Sequence, residues 1–292
     1  MMKINFGGSD EEVPFADKGK SKVWVFGVLF DGTSSYRKGS RYGPEAIRKA
    51  SSETEIYDMV TGKEIFSKPG IFDDGDIEIK DSKDVREEVK KKVQEILSKG
   101  KVPLMLGGEH TITAGAVEAV KEEYDDVVVV NFDAHGDLRD KWFDEKLEMS
   151  KDSHSCVMRR VVELIGKENL IELGIREVSK EEVLKFKSVM IESLEIRKDL
   201  EEVKKRLEKF VEGKNVYLTI DIDAFDVPGT GTPQPGGIDY YDALELISGL
   251  KKAKKVVGLD LVEVAPVPET NYTEAFAAKL LFQTVAILEG KI

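Results

Sequence analysis

The chain has 292 residues, 41% hydrophobic and 34% charged, with a formal net charge of −12. That length fits one large α/β domain or two small ones, and the apolar share supports a sizeable core. The acid excess disfavours nucleic acid or an anionic membrane as partner and favours a small cationic substrate.

In chain order, Val/Ile/Leu-rich runs predict strands at 22–30, 102–106, 127–132, 170–175, 188–192, 216–222 and 256–262. Between them, amphipathic stretches predict helices at 84–98, 112–123, 180–187, 196–212, 241–253 and 272–289. In the first of these, Val85, Val89, Val93, Ile96 and Leu97 share one stripe; Ser82 is the expected N-cap and Gly100 the expected stop. Strand alternating with helix predicts an α/β fold, a mostly parallel sheet with helices on both faces. Without linker, repeat or low-complexity segment, residues 1–292 read as a single domain. Residues 1–14 are polar enough to be an arm, a subunit contact or a frayed end. One cysteine, Cys156, excludes an intrachain disulfide and fits a reducing, cytoplasmic compartment. No apolar run has transmembrane length, and the start of the chain lacks a signal-peptide pattern.

The chemistry concentrates at strand ends. His110 follows 102–106, Asp133 closes 127–132 and leads to His135 and Asp137, and Asp221 and Asp223 close 216–222. In an extended chain, side chains two apart share a face, so 133, 135 and 137 align, as do 221 and 223. Strand ends of a parallel sheet point the same way, so four carboxylates and two imidazoles can meet. One divalent cation would leave about two uncompensated charges there, a costly state once buried. Two cations neutralise the set, and such a centre makes hydroxide from water. The oxygen and imidazole donors suit Mn²⁺ and admit Co²⁺, Ni²⁺, Zn²⁺ or Mg²⁺.

Other residues carry two readings each. His154 is a proton shuttle near the metals or a surface or capping histidine. Glu263 grips a cationic substrate group or pairs with a nearby base. Asp260 is a helper or a structural acid. Cys156 is read as a packing residue, since nothing near it marks a lowered thiol pKa. The loop 228–237 (PGTGTPQPGG) lacks the Gly-Lys-Ser/Thr of a phosphate cradle and is read as a wall beside the site.

Taken together, LGGEHTIT (106–113), NFDAHGD (131–137), SHSCVMRR (153–160), TIDIDAFD with PGTGTPQPGG (219–237) and GLDLVEVAP (258–266) resemble the ureohydrolase family of arginases and agmatinases. FDGTSSYRKGSRYGPEAIR (30–48) and DDGDI (73–77) resemble its agmatinase-like members. The resemblance implies a three-layer α/β/α sandwich with an eight-stranded parallel sheet, two Mn²⁺, and hydrolysis of a guanidino group by a metal-bridging hydroxide. It implies one metal on His110, Asp133, Asp137 and Asp221, the other on His135, Asp133, Asp221 and Asp223. It also implies a shuttle role for His154, guanidinium binding by Glu263, and a homo-oligomer, trimeric or hexameric. Asp137 would pass the proton of the nucleophile to the leaving amine. Two departures stand out. Asp226 and Val227 lead straight to Pro228, so the loop is shorter than the family's. The Asn and Ser pattern that reads an α-amino acid is absent, which points to agmatine, cleaved to putrescine and urea. The alternatives are a guanidinobutyrase, a formiminoglutamate hydrolase, an arginase, or a non-catalytic metal-binding homologue.

Overall fold

Apolar runs that cannot face water on either side settle in the middle of a layered fold. The computed structural model describes residues 4–8, 17–55, 57–64, 70–144 and 146–292. Among them, eight strands form one sheet: β1 (Val23–Leu29), β2 (Ile71–Glu78), β3 (Val102–Leu106), β4 (Val127–Phe132), β5 (Leu170–Ile175), β6 (Met190–Glu192), β7 (Asn215–Asp221) and β8 (Lys255–Val262). Their order is β6-β5-β4-β7-β8-β3-β1-β2, with every neighbouring pair parallel.

Alternation along β1 shows the layers. Val23 and Val25 join one core with Ile47 of α1 (Gly43–Ser51), Leu207 of α7 (Leu200–Val211), Ile247 of α8 (Tyr240–Gly249) and Leu281 of α9 (Tyr272–Ile287). Trp24, Phe26 and Val28 join the other with Val89 of α2 (Ser82–Leu97), Val117 of α3 (Thr113–Glu123) and Val161 of α4 (Val157–Ile165). Two short helices, α5 (Lys180–Phe186) and α6 (Ser193–Lys198), complete the set among the described residues. The fold is the expected three-layer α/β/α sandwich, and its sheet is wholly parallel. No helix among the described residues is long and apolar enough to cross a membrane.

Local expectations shift in four places. The cap of α2 is Asp81, whose side chain accepts from Lys83 N at 3.1 Å, and Ser82 is the first helical residue. The predicted helix 196–212 is two helices, because Asp199 leaves helical backbone (φ −151°) and caps α7 by accepting from Glu202 N. Of the polar start, residues 4–8 pack on the body: Phe6 is buried and its ring lies 4.8 Å from that of Phe282. Residues 1–3 and 9–14 lie outside the described residues.

The fourth is β2, which no apolar run announces. Its sequence, Ile-Phe-Asp-Asp-Gly-Asp-Ile-Glu, is acidic because it is an edge strand, half open to water. Arg48 of α1 anchors it. Its guanidinium takes Asp73 with two nitrogens (2.7 and 3.0 Å) and Asp76 with a third (2.6 Å). Arg48 and Asp73 are both buried. Arg48→Ala would leave Asp73 buried without its counter-charge, so we expect about 3–5 kcal/mol of lost stability. Urea denaturation at neutral pH checks this; a loss below about 1 kcal/mol would refute the anchoring role.

The fold also places the strand ends. β4, β7, β8 and β3 are consecutive in the middle of the sheet and run the same way. The chain beyond β3 turns between β1 and β8. A Cβ on Gly108 would lie 2.0 Å from the Phe30 carbonyl oxygen, so only glycine makes that turn.

Candidate metal centre

Four adjacent strand ends carry the acids and imidazoles into one pocket. Asp133 follows β4, Asp221 ends β7, Glu263 follows β8, and His110 lies four residues beyond β3. His110, Asp133 and Asp137 bring one donor atom each within 4.8 Å of one another, and so do Asp133, His135 and Asp223. Asp133 belongs to both groups. The sixth candidate, Asp221, has Oδ2 3.6 Å from His110 Nδ1.

Strand alternation explains only part of this convergence. Asp137 sits in left-handed backbone (φ 46°), and a 3₁₀ turn over Ile222–Ala224 carries Asp223. Tight turns at the strand ends, rather than extended chain, bring these two acids in. Three of the four aspartates are held by main-chain bonds: Asp133 Oδ1 accepts from His135 N (2.7 Å), Asp221 Oδ1 from Asp223 N (2.9 Å) and Asp223 Oδ1 from Ala134 N (3.1 Å). Left-handed backbone at a non-glycine residue stores strain that the surrounding structure must hold. Glu263 shares that conformation (φ 65°).

The electrostatics ask for cations. All four aspartates are buried. Burial and the Asp133 charge push Asp137 up to about 7, and burial with Asp223 raises Asp221 well above the carboxylate range. Burial opposes protonation of His135, yet Asp223 and Asp133 override it and push it up to about 12. His110 shows the same contest and the same upward outcome, from Asp133 and Asp137. His110 Nδ1 is buried without a hydrogen bond, while carboxylate oxygens lie 3.2 and 3.3 Å away, and its Nε2 faces Thr219 Oγ1 at 3.0 Å. An orphaned imidazole nitrogen among four buried acids fits a site that binds positive charge. Two divalent cations match the four carboxylates in charge, and Asp133 is placed to touch both.

Comparison with known proteins agrees with this geometry. Residues 21–286 match the arginase family along nearly the whole chain. The chain belongs to the arginase family. It is 39% identical to an agmatinase of Bacillus anthracis over 90% of each protein. It is 36% identical to an N(1)-aminopropylagmatine ureohydrolase of Thermococcus kodakarensis, covering 95% of this chain and 94% of the relative. The solved structure of an agmatine ureohydrolase from Thermoplasma volcanium superposes with a TM-score of 0.84 at 36% identity, covering 94% and 93% of the two chains. The protein is therefore an arginase-family ureohydrolase, an enzyme acting on guanidino C–N bonds. The family depends on a binuclear metal centre, and the pocket described above is the candidate site for it.

The other residues singled out in the sequence fall around that pocket. Glu263 is buried, and its Oε1 accepts from His110 N at 2.8 Å. Burial and Glu109 raise it well above the usual carboxylate range, so a cation beside it would favour its charged form. His154 lies in the same cleft at the entry to α4, with Nε2 3.0 Å from Ser35 Oγ and 3.1 Å from Ser155 Oγ. Burial, then His135 and His110, hold it down to about 4, so near pH 7 it is a proton acceptor. Asp260 takes the structural reading: it is buried and accepts from Tyr217 OH (2.7 Å) and Thr113 Oγ1 (2.9 Å). Cys156 is buried and its thiol is pushed up to about 12 by burial and Asp137, so packing suffices.

Reading the sequence missed several participants. Glu109 is fully buried and accepts from Thr33 N, Ser34 Oγ and Thr111 Oγ1, which fixes the loop after β1. That loop brings Ser35 to His154, and Trp142 Nε1 donates to the same Ser35 hydroxyl. Arg37 donates to the carbonyls of Pro228, Thr230 and Ala265, binding loop 228–237 to the strand ends. Thr232 of that loop lines the cleft, as a wall should. The sequence signals for these residues were the family-like stretches 30–48, 106–113 and 228–237, none of which singles out the residue or its partner.

Glu172 on β5 is a further buried acid. It pairs in register with Asn131 of β4, and neither its carboxyl oxygens nor Asn131 Oδ1 has a hydrogen-bond partner among the described residues. Burial, then Asp133 and Asp137, raise its pKa well above the usual range. A raised acid stabilises the fold below its unfolded pKa, about 4.3, and loses that contribution as pH climbs toward the folded value. Glu172→Gln removes the titration and lets the amide donate to Asn131 Oδ1. The variant should thus gain on the parent as pH rises from about 5 to 8, by up to about 1.4 kcal/mol per unit. Paired Tm measurements across that range check it, and a pH-independent difference would refute it.

Proposed function

We propose that the chain is an agmatinase, hydrolysing agmatine to putrescine and urea. The observation that carries this reading is Glu263, a buried acid placed in the same cleft as both metal-ligand groups. An acid there suits a cationic guanidinium and repels a phosphate or carboxylate. The agmatinase and agmatine ureohydrolase relatives support it.

In this reading His110, Asp133, Asp137 and Asp221 would hold one Mn²⁺, and His135, Asp133, Asp221 and Asp223 would hold the other. Metal held by these residues would supply the chemistry of an acidified water, a hydroxide nucleophile near neutral pH. Glu263 binds and orients the guanidinium. Asp137 takes the proton shed by the attacking water and hands it to the leaving amine nitrogen. His154, neutral near pH 7, accepts and returns protons at the cleft. The chain acts as one domain in a cytoplasmic homo-oligomer, a trimer or hexamer.

A second reading is N(1)-aminopropylagmatine hydrolysis, favoured by the 36% identical Thermococcus kodakarensis relative. Urea release with added Mn²⁺ separates them: agmatine, N(1)-aminopropylagmatine, arginine and 4-guanidinobutyrate are compared by kcat/KM. The proposal expects agmatine first. A preference for arginine, or no urea from any of the four at full metal content, would overturn it.

A further inference from the structure

The cleft holds two more acids than the mechanism uses. Asp137, Asp221, Asp223, Glu263, Glu182 and Glu177 all line it. The first three are proposed metal ligands and the fourth binds the guanidinium. Glu182 is buried, with its carboxylate taken by Leu138 N (2.9 Å) and Ser179 N (2.8 Å). Glu177 remains. Its side chain is exposed and makes no ion pair or side-chain hydrogen bond among the described residues. Its backbone is fixed: Glu177 N donates to Ala134 O at 3.0 Å, and the residue bridges in parallel to His135. An acid is thus held one strand spacing from a metal ligand, facing the cleft and unneutralised.

The neighbouring cations are engaged elsewhere. The Arg139 guanidinium lies 4.4 Å from the centre of the Trp142 ring. That of Arg176 donates to the carbonyls of Gly174, Asp223 and Gln234. A substrate with one cationic end at Glu263 and a second cationic end needs a second acid at the mouth. Trp142, which lines the same cleft, offers an apolar face to the methylenes that join the two ends.

We infer that Glu177 is a specificity-determining residue, receiving the ammonium at the far end of a diamine-type guanidino substrate. This rests on the proposed guanidino hydrolysis. The test compares two substrates of equal stem, agmatine and butylguanidine, in the Mn²⁺-loaded wild type, Glu177→Gln and Glu177→Lys. An exposed charge pair is worth up to about 1 kcal/mol, so KM for agmatine should rise about fivefold in E177Q and more in E177K. KM for butylguanidine, which has no ammonium, should stay within about twofold in E177Q. E177K should also narrow the gap between agmatine and 4-guanidinobutyrate. An unchanged agmatine KM in both variants would overturn the inference while leaving the hydrolase reading intact. Equal KM increases for both substrates would overturn it as well, since they would mark a structural role. If the wild type released urea from neither substrate, the functional proposal itself would fall, and this contact with it.

Discussion

Asp133→Ala is expected to remove metal and activity together. Asp133 belongs to both three-residue donor clusters, shares with Asp221 a place in both proposed ligand sets, and is fully buried. Burial alone would raise its pKa; His110 and His135 reverse this and hold it below the usual carboxylate range, so it is charged in the folded protein. Asp137 joins only the His110 cluster and Asp223 only the His135 cluster, and Asp221, already counted in both proposed ligand sets, cannot also take the place of Asp133. Metal content per chain should fall from two toward zero. Urea release should drop by at least about 10³-fold, the size of losing several kcal/mol of Lewis-acid stabilisation. Elemental analysis and urea release on one preparation measure both. Two retained metals with activity within tenfold of wild type would remove the shared-ligand assignment.

Glu263→Gln should separate binding from metal. The substitution keeps the size of the side chain and an oxygen that can accept from His110 N, now 2.8 Å from Oε1. What it loses is the negative charge. The six metal-ligand candidates are untouched, so metal content should remain two per chain. Breaking a buried charge pair costs about 3–5 kcal/mol, so kcat/KM for agmatine should fall by about 10²- to 10⁴-fold. Full kcat/KM on every guanidino compound tried would show that Glu263 does not hold the substrate. The two substitutions should give different signatures from one pocket, because the proposal has one residue hold ions and the other face the substrate.

Much of this site was legible because its signals are local. Asp133, His135 and Asp137 lie within five residues at the end of an apolar run, and Asp221 and Asp223 repeat the pattern. Any strand there exposes its C-terminal residues at the sheet edge, whatever its neighbours. The same holds for seven of the eight strands, whose burial on both faces writes a continuous apolar run. β2 escaped because an edge strand need not be apolar, and its acids are tolerated through Arg48, a residue from a distant helix. Glu109, Arg37 and Glu177 escaped for a related reason. Each is an ordinary polar residue until the fold brings its partners.

The chain alone determined the class of fold and grouped the six candidate metal ligands, since continuous apolar runs and donor spacing are properties of contiguous residues. Only the tertiary structure decided which donors meet. The order β4-β7-β8-β3 sets four strand ends side by side, and that order depends on crossover connections rather than on any local pattern. The turns at Asp137 and Ile222–Ala224 then complete the pocket, and those conformations persist because the packing around them overrides the backbone's own preference.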